Sequence, residues 1–458
     1  MQTPQGKTLL AVLVTSAAIF IANLDAAIIT VALPQLAEAF GASVAGIAWL
    51  SLSYLLACAS LLLVLGKLGD VLGPELMLRR AYLLFGLTSL LCACAQGMGW
   101  LLAFRVLQGA AAAALLSTAL AVAARNVPPQ ALGRGLGFVS VFGALGFAAG
   151  PAAGGFIVQH FGWRWIFALN VPVAAAGFYA VRLLGAGAPS GQRLELDARG
   201  AVFSCCALGL LVYALSAAFA QPLVLQAGAW AGAAFFAFLF VRREAHCRDP
   251  LVPAALFSAG GMAAALGACA AAVAAVDGTT FTLPFFLGIG GAMLPSKTGL
   301  VMSLLPLVSL FCGPVSGWLS DRIGPARVCA GAASAMILGG FAFSLSGDAF
   351  SMSTTAAGLL LFGLGLGFFF PANVSFIMAR SPSGREGTVS AVVNACQSTA
   401  GAAGVAVFSA VYSSVSVSSA GGGAAGALSA FSACGLLAIV CAAAALALTL
   451  LAARGGEK

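Results

Sequence analysis

Fourteen apolar runs recur along this chain, at about 9–32, 44–65, 77–97, 99–122, 133–158, 164–184, 198–217, 222–241, 261–288, 297–319, 326–346, 353–378, 387–411 and 428–452. Short stretches holding charges, prolines or Gly/Ser clusters divide them. Each run is close to the ~20 residues that a helix rising 1.5 Å per residue needs to cross ~30 Å of hydrocarbon. Only helices and closed barrels satisfy their backbone polar groups inside a bilayer, and the alternating ten-residue strands of a barrel are absent. Charged residues make up 7% of the chain, against about 25% in soluble domains. The expected fold class is therefore an all-α integral membrane protein with fourteen transmembrane helices.

The few charges are placed unevenly. With this segmentation, all 21 Lys and Arg residues except Arg105, Arg164 and Lys297 fall in the termini and loops of one face. An excess of basic residues marks the cytoplasmic side, so both termini are expected there. The net charge of +8 is thus explained by topology, and no basic tract interleaved with aromatics points to nucleic acid. Twelve cysteines lie singly or in close pairs within apolar segments, without metal-ligand spacing, and read as small core residues. The first run carries Asp25 and lacks a clear cleavage site, so it reads as a retained signal-anchor helix. No metal site and no cofactor is expected, and no cluster of His, Cys and acids suggests an enzyme.

Two loops repeat one pattern. GKLGDVLGP (66–74) and GWLSDRIGP (317–325) align Gly66 with Gly317, Asp70 with Asp321, Gly73 with Gly324 and Pro74 with Pro325. They follow the second and the tenth run, as two related six-helix halves separated by an extra pair would place them. The expected organisation is a six-helix bundle over 1–190, a two-helix insert with an amphipathic cytoplasmic linker over 191–260, and a second six-helix bundle over 261–458. The insert ends at RREAHCRDPLVPAALFS (242–258).

Two six-helix halves carrying this loop motif resemble the major facilitator superfamily. Other stretches are similar to its fourteen-helix drug:proton antiporters: LDAAIITVALPQL (24–36), RVLQGAAAA (105–113) with Arg105, Gln108 and Gly109, GFAAGPAAGG (146–155), RDPLVPAALF and REGTVSAVVNACQSTAGAAGVAV (385–407). The first loop copy departs from the family pattern, with Val71, Pro74 and Glu75 where basic residues are usual. The resemblance implies a proton-coupled antiporter that exports lipophilic, cationic drugs or toxic compounds by alternating access. It also implies a monomer in a bacterial inner membrane, whose partners are lipid, substrate and protons. A related exporter of one endogenous metabolite or anionic product is the alternative, and a transport-inactive sensor or scaffold on the same fold is a third.

The resemblance further implies that Gly66, Asp70 and Gly73, with Gly317, Asp321, Arg322 and Gly324, form conformational latches, Asp70 facing the thirteenth span and Asp321 the fifth. Gly146, Gly150 and Gly154 recur every fourth residue and line one helix face, where small residues allow close backbone approach. Pro151 favours a bend beside them, and Gly155 completes the motif. Charges within spans cost about 2.5–3.5 kcal/mol at a helix centre and so mark function; these are Asp25, Arg105 and Asp277. Counted at 1.5 Å per residue, Asp25 and Arg105 both lie roughly 10 Å deep and could share a layer. Asp25 is the expected main proton- and cation-coupling site, with Asp277 its rival. Phe281, Phe285 and Phe369 are candidate walls for a lipophilic cation.

Overall fold

The computed structural model describes residues 4–185, 198–216, 222–245, 260–347, 349–381, 386–418 and 423–455. Among the described residues the chain is helical. The helices are α1 (Pro4–Phe40), α2 (Val44–Leu72), α3 (Pro74–Ala93), α4 (Met98–Asn126), α5 (Pro129–Phe161), α6 (Arg164–Ala168), α7 (Asn170–Leu184), α8 (Ala198–Ser216) and α9 (Leu223–Ala245). Then come α10 (Met262–Phe285), α11 (Pro295–Met302), α12 (Leu304–Ile323), α13 (Pro325–Ser344), α14 (Met352–Met378), α15 (Glu386–Ser418) and α16 (Gly423–Gly455). Among the described residues thirteen stretches are long and apolar enough to span a membrane, and Val202–Ser216, at the place of the seventh expected span, is a shorter apolar helix. Several helices outrun their apolar segments: the run at 9–32 sits inside a helix of 37 residues, because a helix continues past the hydrocarbon for as long as its own backbone bonds hold.

Helices α1–α7 pack on one another, chiefly α1 on α5, α2 on α4 and α3 on α4 and α7. Helices α10–α16 form a second set through α13 on α14 and α16, and α10 on α15 and α16. In the first set, Tyr82 donates to the Val14 carbonyl at 2.6 Å, and its ring lies where a Cβ at Gly177 would stand. In the second, Phe286 and Phe431 stack with centroids 4.1 Å apart, and Phe343 joins them edge-on at 5.4 Å. Helix α8 leans on α2 and α15, and α9 packs on α8 while exposing Val224, Phe235, Phe238 and Val241. That outer face suits lipid, since apolar side chains there need no protein partner.

The two repeated loops adopt one geometry. Gly73 joins α2 to α3 at φ 95°, ψ 125°, and Gly324 joins α12 to α13 at φ 88°, ψ 142°. Positive φ at both explains the shared glycine, and the following proline pre-sets the first turn of the next helix. The two sets of helices meet towards the face remote from the described ends Pro4 and Gly455. There a Cβ at Gly155 of α5 would run into the Pro295 carbonyl, and one at Gly299 of α11 into the Pro151 carbonyl. The Ser296 N–H also donates to Gln159 Oε1 at 3.1 Å. Helices α2 and α15 touch as well.

Candidate functional site

The site grows from a polar cluster buried in the first set of helices. Arg105 on α4 is fully buried, and its Nη1 donates to Asp25 Oδ2 of α1 at 2.7 Å. The same Nη1 donates to Gln108 Oε1 at 2.8 Å, and Nε donates to the Leu50 carbonyl at 3.1 Å. Gln108 Nε2 donates to Asp25 Oδ1 at 2.9 Å and to Ser89 Oγ at 2.9 Å. Asn170 completes the cage, its Nδ2 donating to Asp25 Oδ1 at 2.6 Å. Asn170 opens α7 just after the turn at Leu169 that separates α6 from α7, and so it reaches inwards where the helix restarts. The Arg105 guanidinium lies 4.2 Å from the centre of the Tyr54 ring, and Tyr54 donates to the Ala22 carbonyl at 3.3 Å.

Small residues let these helices come together. A Cβ at Gly109 would strike the Tyr54 carbonyl of α2, and at Gly146, Gly150 and Gly154 it would strike α1 at Phe20, Ala27 and Ile28. Three of the motif glycines therefore seat α5 against α1, and Pro151 and Gly155 face the other way, onto α11.

Beside the cluster lies a cavity of about 100 Å³ between the two sets of helices. Its wall is mostly apolar, with Tyr54, Phe147, Phe281 and Met302, and it carries Arg105 and Asp277. Asp277 of α10 makes no hydrogen bond or ion pair among the described residues. Its carboxylate points at Gly401 of α15, where a Cβ would collide with Oδ2. Ser51 and Thr280 also line the cavity, but their hydroxyl oxygens are closed off from it and buried without a hydrogen-bond partner. A second recess of about 640 Å³ opens at the remote face, lined by Pro34, Glu38, Ser43, Phe285, Thr298 and Ser416 among others.

Comparison with known proteins places this architecture. The sequence profile of the Major Facilitator Superfamily matches residues 15–405. The chain belongs to that superfamily. It is 28% identical to the riboflavin transporter RibZ of Clostridioides difficile (strain 630), over 86% of each protein. It is 31% identical to the tetracenomycin C resistance and export protein of Streptomyces glaucescens, over 87% of this chain and 74% of that one. Its fold is similar to that of a bacterial homologue of the human lysosomal transporter Spinster, with TM-score 0.68, 14% identity and 99% of both chains covered. The protein is a multi-pass membrane transporter of the superfamily, which also contains drug-resistance exporters among its relatives.

Within this superfamily fold, the residues singled out from sequence fall into different settings. Asp25 and Arg105 do share a layer and touch, but Asp25 stands behind Arg105 and does not line the cavity. Asp277 and Phe281 do line it. Phe285 instead faces the remote recess and packs on Tyr412 with centroids 5.9 Å apart, and Phe369 is buried in the second core against Phe370. The repeated motif, expected as a loop, is helical up to Leu72 and Ile323; in its second copy Asp321 is exposed at the end of α12 without a hydrogen bond or ion pair among the described residues, and Arg322 stacks over Trp318 at 4.1 Å. The side chain of Asp70 lies outside the described residues, as does Arg385. Glu75 is buried at the start of α3, accepting from Asn126 Nδ2 at 2.9 Å with Arg125 Nη1 3.6 Å away.

Several contributors escaped the sequence reading, among them Tyr54, Ser89, Phe147, Asn170 and Gly401. Asn170 is an uncharged amide two residues before Pro172, and Gly401 is one of 57 glycines. A signal for Asn170 existed: an amide is costly within a span unless another polar group meets it.

Proposed function

We propose that the protein is a proton-driven antiporter that exports lipophilic cations, such as drugs or toxic compounds, from the cytoplasm by alternating access. The observation that carries this reading is the unpartnered Asp277 carboxylate on a mostly apolar cavity wall between the two sets of helices. A carboxylate in such a place must be neutralised, and a bound cation or a proton can each do it. Rings of Tyr54, Phe147 and Phe281 supply apolar burial and cation–π attraction for the body of the substrate. Both termini face the cytoplasm in this scheme, following the basic loops, and the contact of α5 with α11 closes the external side. The motif stretches Gly66–Gly73 and Gly317–Gly324, which are the ends of α2 and α12 with the glycine that follows each, act as latches when the cytoplasmic side closes, with Asp321 engaging only in that state.

A second reading, export of a single metabolite, is favoured by the riboflavin transporter among the relatives and by the Arg105 guanidinium on the wall. Proteoliposomes under an imposed pH gradient separate the two. Uptake of phenyltrimethylammonium and tetraphenylphosphonium that follows the gradient, with tetraphenylborate left behind, is the expected result. Gradient-driven movement of riboflavin or of tetraphenylborate, without the cations, would overturn the cation reading.

A further inference from the structure

We infer that the recess at the remote face is a second binding site, for a bulky organic cation arriving from outside, and that its occupant holds this face shut and so restrains export. The cation site stands on the recess itself. The restraint rests on the export reading above, which makes the remote face the outer one.

At about 640 Å³ the recess has room for a drug-sized molecule, and it shares no lining residue with the central cavity. Its charge is one-sided. Glu38 lines it, exposed and with no side-chain hydrogen bond or ion pair among the described residues, and no Lys or Arg belongs to the wall. Lys297, exposed beside Thr298, is not part of the lining. Three helices bring their C-terminal ends to the recess: α1 through Glu38, α10 through Phe285 and α15 through Ser416. Each such end carries partial negative charge on the carbonyls beyond its last helical bonds. Two helices also start there, but each already has a first-turn N–H engaged. Ser43 Oγ accepts from the Gly46 N–H of α2 at 3.1 Å, and Gln159 Oε1 accepts from the Ser296 N–H of α11 at 3.1 Å. A cation is therefore favoured over an anion, and Phe285, Ile289 and Met293 give its hydrocarbon an apolar bed.

The site is assembled from both sets of helices. Glu38 and Ser43 come from the first, and Phe285, Ile289 and Ser416 from the second. Pro295 both lines the recess and takes the close contact of Gly155, so the recess adjoins the place where the two sets meet. Parting them at this face would draw the walls away from an occupant. An occupant thus favours the closed arrangement by its difference in affinity for the two states. The wall is also constrained where α10 ends: Phe286–Gly290 form a π-helical turn, and Ala292 holds φ 48° although it is not glycine. Such features concentrate at binding and switching segments, and here they set Ile289 and Met293 on the wall. A cation bound outside therefore opposes outward opening, and a high external concentration slows further export.

The test uses the full-length protein carrying Ser416→Cys, with the exposed Cys94 changed to serine. In detergent, the impermeant aromatic dication propidium is expected to slow the reaction of position 416 with an impermeant thiol reagent several-fold. The aromatic anion anilinonaphthalenesulfonate should give no protection. Glu38→Gln should weaken protection by propidium about two- to fivefold, the range of a solvent-screened charge pair, and Glu38→Lys should weaken it further. Efflux is then followed from proteoliposomes loaded with phenyltrimethylammonium, cytoplasmic face inwards, under an imposed pH gradient. Propidium in the bath should slow efflux over the concentration range that protects position 416. Glu38→Gln should leave efflux without propidium unchanged and move the inhibition to higher concentration by the factor seen in protection. Protection by cation and anion alike, or protection unchanged in Glu38→Gln and Glu38→Lys, overturns the site. Protection without slowed efflux, or equal inhibition with and without Glu38, overturns the restraint. Absence of gradient-driven phenyltrimethylammonium efflux with protection intact overturns the export reading and the restraint with it, and leaves the cation site standing.

Discussion

The two sets of helices share a loop motif with the same glycine geometry, yet their interiors are built from different materials. The first is organised around a densely bonded polar cluster, in which Arg105 Nη1 and Nε and both Asp25 oxygens have partners. The second is organised around stacked rings, Phe286 on Phe431 with Phe343 and Phe362 alongside, and its one described intramembrane charge, Asp277, is left without a partner. A polar cluster is rigid because each hydrogen bond constrains the others, whereas rings tolerate displacement at little cost. The comparison teaches that a repeated fold can dedicate one half to holding a charge still and leave the other half's charge available.

The largest effect that would break this contrast is expected at Arg105. Arg105→Ala leaves the Asp25 carboxylate buried and unpaired, which should destabilise the protein by about 3–5 kcal/mol, read as lost folded yield and a lowered unfolding temperature in detergent. Adding Asp25→Asn to Arg105→Gln should recover about 0.5–3 kcal/mol relative to the sum of the single changes, since the two side chains form one unit. Additive losses would show that the cluster is not a unit.

Next comes the contact between the sets. Gly299→Val places a branched side chain where the Pro151 carbonyl stands, and no rotamer relieves a clash with backbone. The remote face should then stay parted, and a cysteine replacing Ser416 in its recess should react roughly several-fold faster with an impermeant thiol reagent, as expected when a closed conformer loses population. Unchanged reactivity would mean that α5 and α11 can part without consequence at that face.

Smaller effects sharpen the symmetry of the loops. Gly73→Ala and Gly324→Ala each force a side chain into a positive-φ conformation and should cost about 1–3 kcal/mol. Similar losses at the two positions are expected, measured by thermal unfolding; a large loss at one alone would show that only one copy keeps the strained turn. The smallest effect is expected in the aromatic core, where Phe286→Leu should cost no more than about 1.5 kcal/mol after repacking. A collapse of folding from that change would erase the proposed difference between the two interiors.

How far the site could be read from sequence depended on the kind of residue. Asp25, Arg105 and Asp277 stood out because a charge inside an apolar run is rare and expensive. Gln108 entered through the fourth-span motif, but its role as a bridge between Asp25 and Ser89 needed coordinates. Phe281, Phe285 and Phe369 looked alike in sequence and ended on a cavity wall, in a remote recess and in a core. Helical periodicity cannot separate these fates in a span that is apolar all round, because it presents no polar face to orient it. Gly401 was invisible for a simpler reason: its importance lies entirely in what stands opposite it.

The sequence by itself determined that the chain is a helical membrane protein, that fourteen apolar runs recur along it, and that one glycine-proline motif repeats. Those properties follow from local quantities: the length of an apolar run, the rise of a helix and the positive φ that glycine adopts most readily. Tertiary structure alone decided which of two acids is confined and which is open. Sequence places Asp25 and Asp277 each in an apolar span, but the donors that surround Asp25 come from α4 and α7, and the space beside Asp277 is left by a glycine on α15. The availability of a charge depends on neighbours that are distant along the chain, so it is settled only when the helices pack.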